Sequence, residues 1–112
     1  MPSPRFPIPQ GTLDMLILQI LSLKAAHGYG IAQRLEQISR SVVRVNEGSL
    51  YPALHRLHQK GWLRGEWKQS ETGREAKFYS LTAAGRRRLA IEKDSWARLS
   101  GAVNLIFEEG SR

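Results

Sequence analysis

The sequence predicts a mainly α-helical fold with one small β-hairpin, and three observations support this prediction. Apolar residues recur at helical spacing in four segments of the chain. Two aromatic-rich runs, 62–68 and 76–81, flank a polar segment that contains glycine, which is typical of strand–turn–strand. Near the C-terminus, apolar residues repeat every seven positions, which indicates a helix with a pairing seam. A chain of 112 residues suits one domain with an appended helix.

The first predicted helix follows a proline-rich N-terminal arm. Residues 1–10 contain four of the five prolines, so we expect a flexible, extended arm there. The helix is predicted from apolar residues spaced i, i+3, i+4, i+7 and i+8, which are Leu13, Leu16, Ile17, Ile20 and Leu21. Met15 and Leu18 extend the apolar surface to a second face, and we expect a partner subunit to cover it. The helix is expected to end near Gly28, in a left-handed conformation.

The middle of the chain predicts two more helices joined by a short extended segment. Ile31, Leu35 and Ile38 mark the second helix, and Val42 to Val45 indicate the extended segment. Leu50, Leu54 and Leu57 mark one face of the third helix, and Gly61 is its expected stop. Two residues are candidates for the N-cap of this helix. Ser49 would place Pro52 in the tolerant first turn, whereas Asn46 would require a distorted turn.

The last predicted element is a long helix that begins after Thr82, a favourable N-cap. Its apolar stripe, interrupted at Glu92, predicts a dimer interface formed by Leu89, Trp96, Leu99, Val103 and Ile106. The order helix, helix, short strand, helix, strand, strand is that of a winged helix-turn-helix over residues 11–81. Residues 82–109 are then a C-terminal dimerisation helix.

The charge distribution points to a polyanionic partner. The net charge is +7, and residues 40–88 hold eleven basic and four acidic residues, so this segment accounts for all of it. Arginine outnumbers lysine in the segment, and arginine is the better phosphate ligand. A solvated basic face is the alternative. Concentration of the charge in one segment favours nucleic acid.

In a helix-turn-helix the second helix of the pair enters the major groove of DNA, and here that helix spans 49–60. With its leucines inward, the outward positions are polar or small and suit base edges and phosphates. We assign DNA contacts to this helix, its approach and the preceding helix start: Tyr29, Asn46, Gly48, Ser49, Tyr51, Pro52, His55, Arg56 and Gln59. For Tyr29, packing at the helix start is the alternative. The hairpin adds Lys68, Thr72, Arg74 and Lys77, placed to reach the DNA backbone or minor groove.

Four segments resemble the PadR family of transcriptional regulators: GTLDMLILQIL, HGYGIAQRLEQ, EGSLYPALHRLHQKGWL and KFYSLTAAGRRRL. The resemblance spans residues 10–92 and is greatest for short members with one helix after the wing. It implies a homodimeric repressor that binds a palindromic operator in double-stranded DNA. It also implies a small aromatic effector, for which Trp96 offers a stacking surface. The alternative is that Trp96 only fills the dimer interface. At the wing tip the chain departs from the family, because Thr72-Gly73-Arg74 stands where an Asn-Arg pair is common.

Other classes of function find little support in the sequence. His55 and His58 lie three apart on a helix, but no carboxylate completes a metal set, so we predict no metal and no cofactor. No catalytic constellation indicates an enzyme. The absence of cysteine, of a membrane-length apolar run and of a signal-peptide core leads us to expect a cytoplasmic protein, and the resemblance to PadR regulators implies a bacterial one. A winged-helix protein–protein module without a DNA role is the remaining alternative.

Overall fold

The computed structural model describes residues 8–110, so most of the predicted N-terminal arm lies outside the described residues. The fold is mainly helical with a small antiparallel sheet, as predicted. Its elements are α1 (Gln10–Leu23), β1 (Ala26–His27), α2 (Gly28–Ile38), α3 (Glu47–Gln59), β2 (Leu63–Gln69), β3 (Glu75–Leu81) and α4 (Ala83–Gly110). The strands β2 and β3 form the hairpin of the wing, and β1 pairs with the other edge of β3, giving the order β1-β3-β2.

The short strand lies at a different place from the one predicted. The sequence indicated an extended segment at Val42 to Val45, but the two-residue strand is Ala26–His27, which pairs with Phe78 and Tyr79 of β3. The predicted stop of α1 at Gly28 is also wrong. The chain becomes extended at Lys24, with φ −165° and ψ 142°, and Gly28 is the first residue of α2.

The core lies between α1, α2, α3 and the sheet, and α1 is its central helix. Ile17 is fully buried, and Leu18 has 1% of its surface exposed. The first turns of α4 pack across α1, and Leu89 belongs to the same core. Met15 and Leu18 are therefore covered within the subunit, so the expectation that they form a surplus face is wrong. Leu89, 7% exposed, also has little surface left for a partner.

A single glycine ends α3 and turns the chain into the wing. Gly61 has φ +78°, a left-handed conformation that glycine adopts without steric cost. Its N–H donates to the His58 carbonyl, and the Trp62 N–H donates to the Leu57 carbonyl, the two bonds of a Schellman motif. The predicted stop is confirmed. Thr82 is confirmed as the N-cap of α4, because its Oγ1 accepts the Gly85 N–H at 3.0 Å.

Candidate nucleic-acid interface

Helix α3 begins at the earlier of the two candidate caps. The Asn46 Oδ1 accepts the Ser49 N–H at 2.9 Å, and the helix starts at Glu47. Pro52 therefore lies inside the helix, beyond its first turn. Proline has no N–H to donate to the carbonyl four residues earlier, so Gly48 lacks that helical bond. Asn46, Gly48 and Pro52 are all exposed, so the irregular start of α3 lies at the surface.

The two faces of α3 differ sharply in burial. Leu50, Leu54 and Leu57 are at most 2% exposed and anchor the helix in the core. The opposite face is solvent-exposed and consists of side chains that can donate or accept hydrogen bonds or approach closely: Gly48, Ser49, Tyr51, Pro52, His55 and Gln59. The structure thus leaves open to solvent the face predicted to contact bases.

Arg56 differs from the other predicted DNA contacts. Its guanidinium Nη2 donates to Asp14 Oδ1 of α1 at 2.8 Å, and the side chains of Arg56 and Asp14 are 30% and 19% exposed. The bond spans 42 positions and fastens α3 to α1. The Arg56 guanidinium therefore already has a carboxylate partner inside the domain, and the DNA contact assigned to it stays a prediction. Charge counting along the sequence could not detect this partner.

Tyr51 of α3 lies against the start of α2 and neighbours Tyr79 of β3. A Cβ on Gly28 would lie 2.8 Å from Tyr51 Cε1, so the absence of a side chain at Gly28 lets the ring lie against the start of α2. Tyr51 is nevertheless 47% exposed. Burial raises the pKa of the Tyr79 hydroxyl above its ordinary value, and the neighbouring Tyr51 adds to this increase.

The start of α2 presents Tyr29 to solvent. His27 caps the helix, since its Nδ1 accepts the Gly30 N–H at 3.1 Å, and its ring packs edge-on against Phe78 at 5.1 Å. The Tyr29 ring is stacked on His27 at 6.4 Å but remains 65% exposed. Packing at the helix start, which was the alternative considered for Tyr29, therefore buries only part of its side chain.

The wing ends in a short turn with a basic side chain at its base. Ser70 N–H donates to the Arg74 carbonyl at 2.7 Å, and Gly73 has φ +84°, as expected for a three-residue hairpin loop. Thr72 and Arg74 are exposed. Lys68 is also exposed, although its Nζ lies 5.3 Å from the Phe78 ring centroid.

An open cleft of about 1050 Å³ separates the wing from α2 and α3, and we call it the wing cleft. It brings together five of the predicted residues, namely Tyr29, Tyr51, Thr72, Arg74 and Lys77. Asn46 lines a smaller neighbouring hollow of about 300 Å³. The wing cleft also contains Lys24, Arg34 and Trp67, which the sequence reasoning did not select. No local signal separates Trp67 from a core residue of the strand, because strand alternation gives only the sheet face on which it lies.

Helix α4 extends well past the domain and carries apolar side chains in solvent. Trp96, Leu99 and Ile106 are 49%, 59% and 70% exposed, and Val103 is half-buried. We call these four residues the C-terminal stripe. Glu92, which interrupts the predicted seam, forms an ion pair with Arg88 one turn earlier.

Within residues 8–110, no helix is both long enough and apolar enough to cross a membrane. No group of three histidine, aspartate or glutamate side chains in the described part of the chain is arranged to hold a metal ion.

The fold and this surface define a winged-helix protein with a basic, aromatic cleft beside the second helix of its helix-turn-helix. Residues 17–91 match the model of the transcriptional regulator PadR-like family. The chain therefore belongs to the PadR-like family of transcriptional regulators, as the sequence motifs indicated.

Individual relatives agree with the family match. The chain is 38% identical to transcriptional regulator Rv3488 of Mycobacterium tuberculosis over 77 residues, covering 69% of this chain and 68% of that protein. A PadR-like transcriptional regulator from Bacillus cereus is 33% identical, with a TM-score of 0.75 over 88% of this chain and 93% of that one. A Streptococcus mutans protein is 28% identical, with a TM-score of 0.82 and 92% coverage of both chains.

Proposed function

We propose that this protein is a sequence-specific repressor that binds a palindromic site in double-stranded DNA as a homodimer. The observation that supports this most strongly is the exposed polar face of α3 beside the wing cleft. The width of the major groove admits a helix, and Tyr51, His55 and Gln59 offer donors and acceptors to base edges. Arg74 lies in the adjacent wing, where it can neutralise a phosphate.

The salt dependence of binding tests the electrostatic part of this proposal. If a dimer neutralises about eight phosphates, the logarithm of the association constant should fall with the logarithm of salt concentration with a slope near −7. Anisotropy titrations on a duplex selected from genomic fragments would measure the slope. A slope shallower than about −2 would contradict DNA binding and favour the protein–protein module instead.

The different DNA contacts proposed for α3 and for the wing give a second test. Tyr51→Ala and His55→Ala should weaken binding to the selected duplex more than to random DNA, because each good base contact contributes about 1–3 kcal/mol of discrimination. Arg74→Ala should weaken both duplexes alike, since a phosphate contact carries no sequence information. Equal losses on both duplexes for Tyr51→Ala and His55→Ala would show that α3 does not read the bases.

The homodimer is proposed from the C-terminal stripe. Exposing a row of large apolar side chains on one helix costs free energy in water, and a second copy of the chain that covers the row removes this cost. Two copies would hold two α3 helices at half-sites one turn of DNA apart. We further propose that a planar aromatic effector stacks on Trp96 and releases the operator. Tryptophan emission titrated with a panel of planar aromatics tests this, with Trp96→Phe as the control. An unchanged emission across the panel contradicts the effector site.

A further inference from the structure

Trp67 is a large aromatic side chain left in solvent in the middle of the wing. It pairs with Lys77 across the hairpin and is 66% exposed. On the same sheet face Gly65 pairs with Tyr79, whose ring lies 6.5 Å from that of His58 in α3. Trp67 therefore stands on the face of the wing that is turned toward α3.

Lys77, the cross-strand partner of Trp67, leans away from the indole. A Cβ on Gly65 would lie 2.5 Å from Lys77 Cε, so the lysine side chain lies directly over Gly65. The Lys77 Nζ lies 5.5 Å from the Tyr79 ring centroid, toward the core. The arrangement places a cation at the inner end of the cleft wall and leaves the Trp67 ring uncovered farther out.

The other walls of the wing cleft decide what can lie against Trp67. Four cationic side chains line the cleft with two carboxylates, so its net charge is positive: Lys24, Arg34, Arg74 and Lys77 against Glu71 and Glu75. An occupant that complements the cleft must combine negative charge with apolar surface. A DNA strand has both, since phosphates about 3.4 Å apart along the axis alternate with deoxyribose rings.

We propose that Trp67 packs against deoxyribose of the DNA strand that passes through the wing cleft, and so fixes the wing on the duplex. This inference rests on the DNA-binding function proposed above and adds an apolar contact to it. The indole offers a broad flat surface with little conformational entropy to lose. Sugars are the same at every base pair, so the contact contributes affinity and orientation but no sequence preference.

The first experiment compares Trp67→Ala with a matched variant, Gln69→Ala, on the operator duplex and on a mixed-sequence duplex. Gln69 is exposed, belongs to the same strand and face, and does not line the cleft. Trp67→Ala should weaken both duplexes roughly tenfold, which is about 1.4 kcal/mol. Its salt slope should stay that of the wild type, because no charge is removed. Arg74→Ala should instead reduce the slope by about 2, roughly 1 for each subunit of the dimer, and Gln69→Ala should bind within about twofold of the wild type.

The second experiment observes the indole directly. Adding duplex DNA should change the tryptophan emission of the wild type, and this change should disappear in Trp67→Phe. Phe retains an apolar ring, so this variant should recover part of the affinity that Trp67→Ala loses. The emission readout does not depend on how well Trp67→Ala folds.

The outcomes separate the inference from the function on which it rests. A wild-type protein that binds neither duplex contradicts the proposed function itself. A wild type that binds DNA while Trp67→Ala binds equally tightly overturns the role of Trp67 and leaves the function intact. A DNA-induced emission change of undiminished size in Trp67→Phe overturns it as well.

Discussion

The two halves of α4 belong to one continuous helix of 28 residues but differ completely in their surroundings. In the first half Leu89 is 7% exposed, packed in the core that contains α1. In the second half Ile106, on the same predicted apolar stripe, is 70% exposed. A seven-residue repeat identifies an apolar stripe, but it does not identify the element that covers it. One half of the stripe completes its own subunit, and the other half stays available for a partner.

Leu89→Ala tests the first half and should have the largest effect. Removing a buried leucine side chain leaves a cavity and should lower the free energy of unfolding by about 2–4 kcal/mol. Chemical denaturation at a fixed protein concentration would measure it. Ile91→Ala, on the same turn but 55% exposed, is the matched control and should change the free energy by less than about 0.5 kcal/mol. Equal effects for the two variants would contradict the conclusion that the first half of α4 is packed into the core through Leu89.

Leu99→Asp tests the second half. Leu99 is 59% exposed in the subunit, so the fold should tolerate the change, whereas a dimer would have to bury two unpaired carboxylates. The dimer dissociation constant should rise roughly 100-fold, about 2.7 kcal/mol, in sedimentation equilibrium. Ala97→Asp, which adds the same charge off the stripe, should leave assembly unchanged. A wild type that is monomeric at micromolar concentration contradicts the assignment.

Thr82→Ala tests where the helix begins. The Thr82 hydroxyl donates to the Gly61 carbonyl at 2.7 Å and accepts the Gly85 N–H, so its loss should destabilise the subunit by about 1 kcal/mol. Thermal unfolding would report the change as a lower Tm. Thr82→Ser keeps the hydroxyl and should recover most of the loss; failure to do so would show that packing of the methyl group matters more than the cap.

Glu92→Gln should have the smallest effect. The ion pair with Arg88 is partly exposed, and such pairs contribute only about 0.3–0.5 kcal/mol, less at high salt. Denaturation at low and high salt would detect the difference. Asp94→Asn, in a pair with Arg98 that is almost fully solvated, should give no measurable change. A loss well above 1 kcal/mol for Glu92→Gln would mean that Glu92 has a further partner.

The sequence predicted the elements that follow from local patterns. The helices, the hairpin, the Thr82 cap and the Gly61 stop depend on spacing and on single-residue conformational preferences, and all are present. It failed where the answer depends on distant neighbours. The strand Ala26–His27 exists only because β3 offers it an edge, and nothing in two residues indicates that. The valines at 42, 43 and 45 favour strand locally but find no strand partner.

The candidate site shows the same division. Exposure of His55 and Gln59 follows from helical geometry once the leucines are known to be buried. The bond between Arg56 and Asp14 cannot be read from either segment alone, since the two residues lie 42 positions apart. Trp67 was missed because a strand tryptophan is ordinarily a core residue, and only the three-dimensional fold shows that the core ends before reaching it.

The hydroxyl of Thr82 has a mechanical consequence. It fastens the Gly61 carbonyl, just after the end of α3, to the first turn of α4, so α4 starts at a fixed point beside the end of α3. Helix α4 is about 42 Å long, and tilting it by about 5° about Thr82 displaces its far end by roughly 4 Å. In an assembly joined at the far ends of two α4 helices, a movement at that end is transmitted back to the domains. Because the first half of α4 is packed on α1, a re-packing of a few ångströms around Trp96 would move each domain together with its helix and change the distance between its α3 and that of the partner.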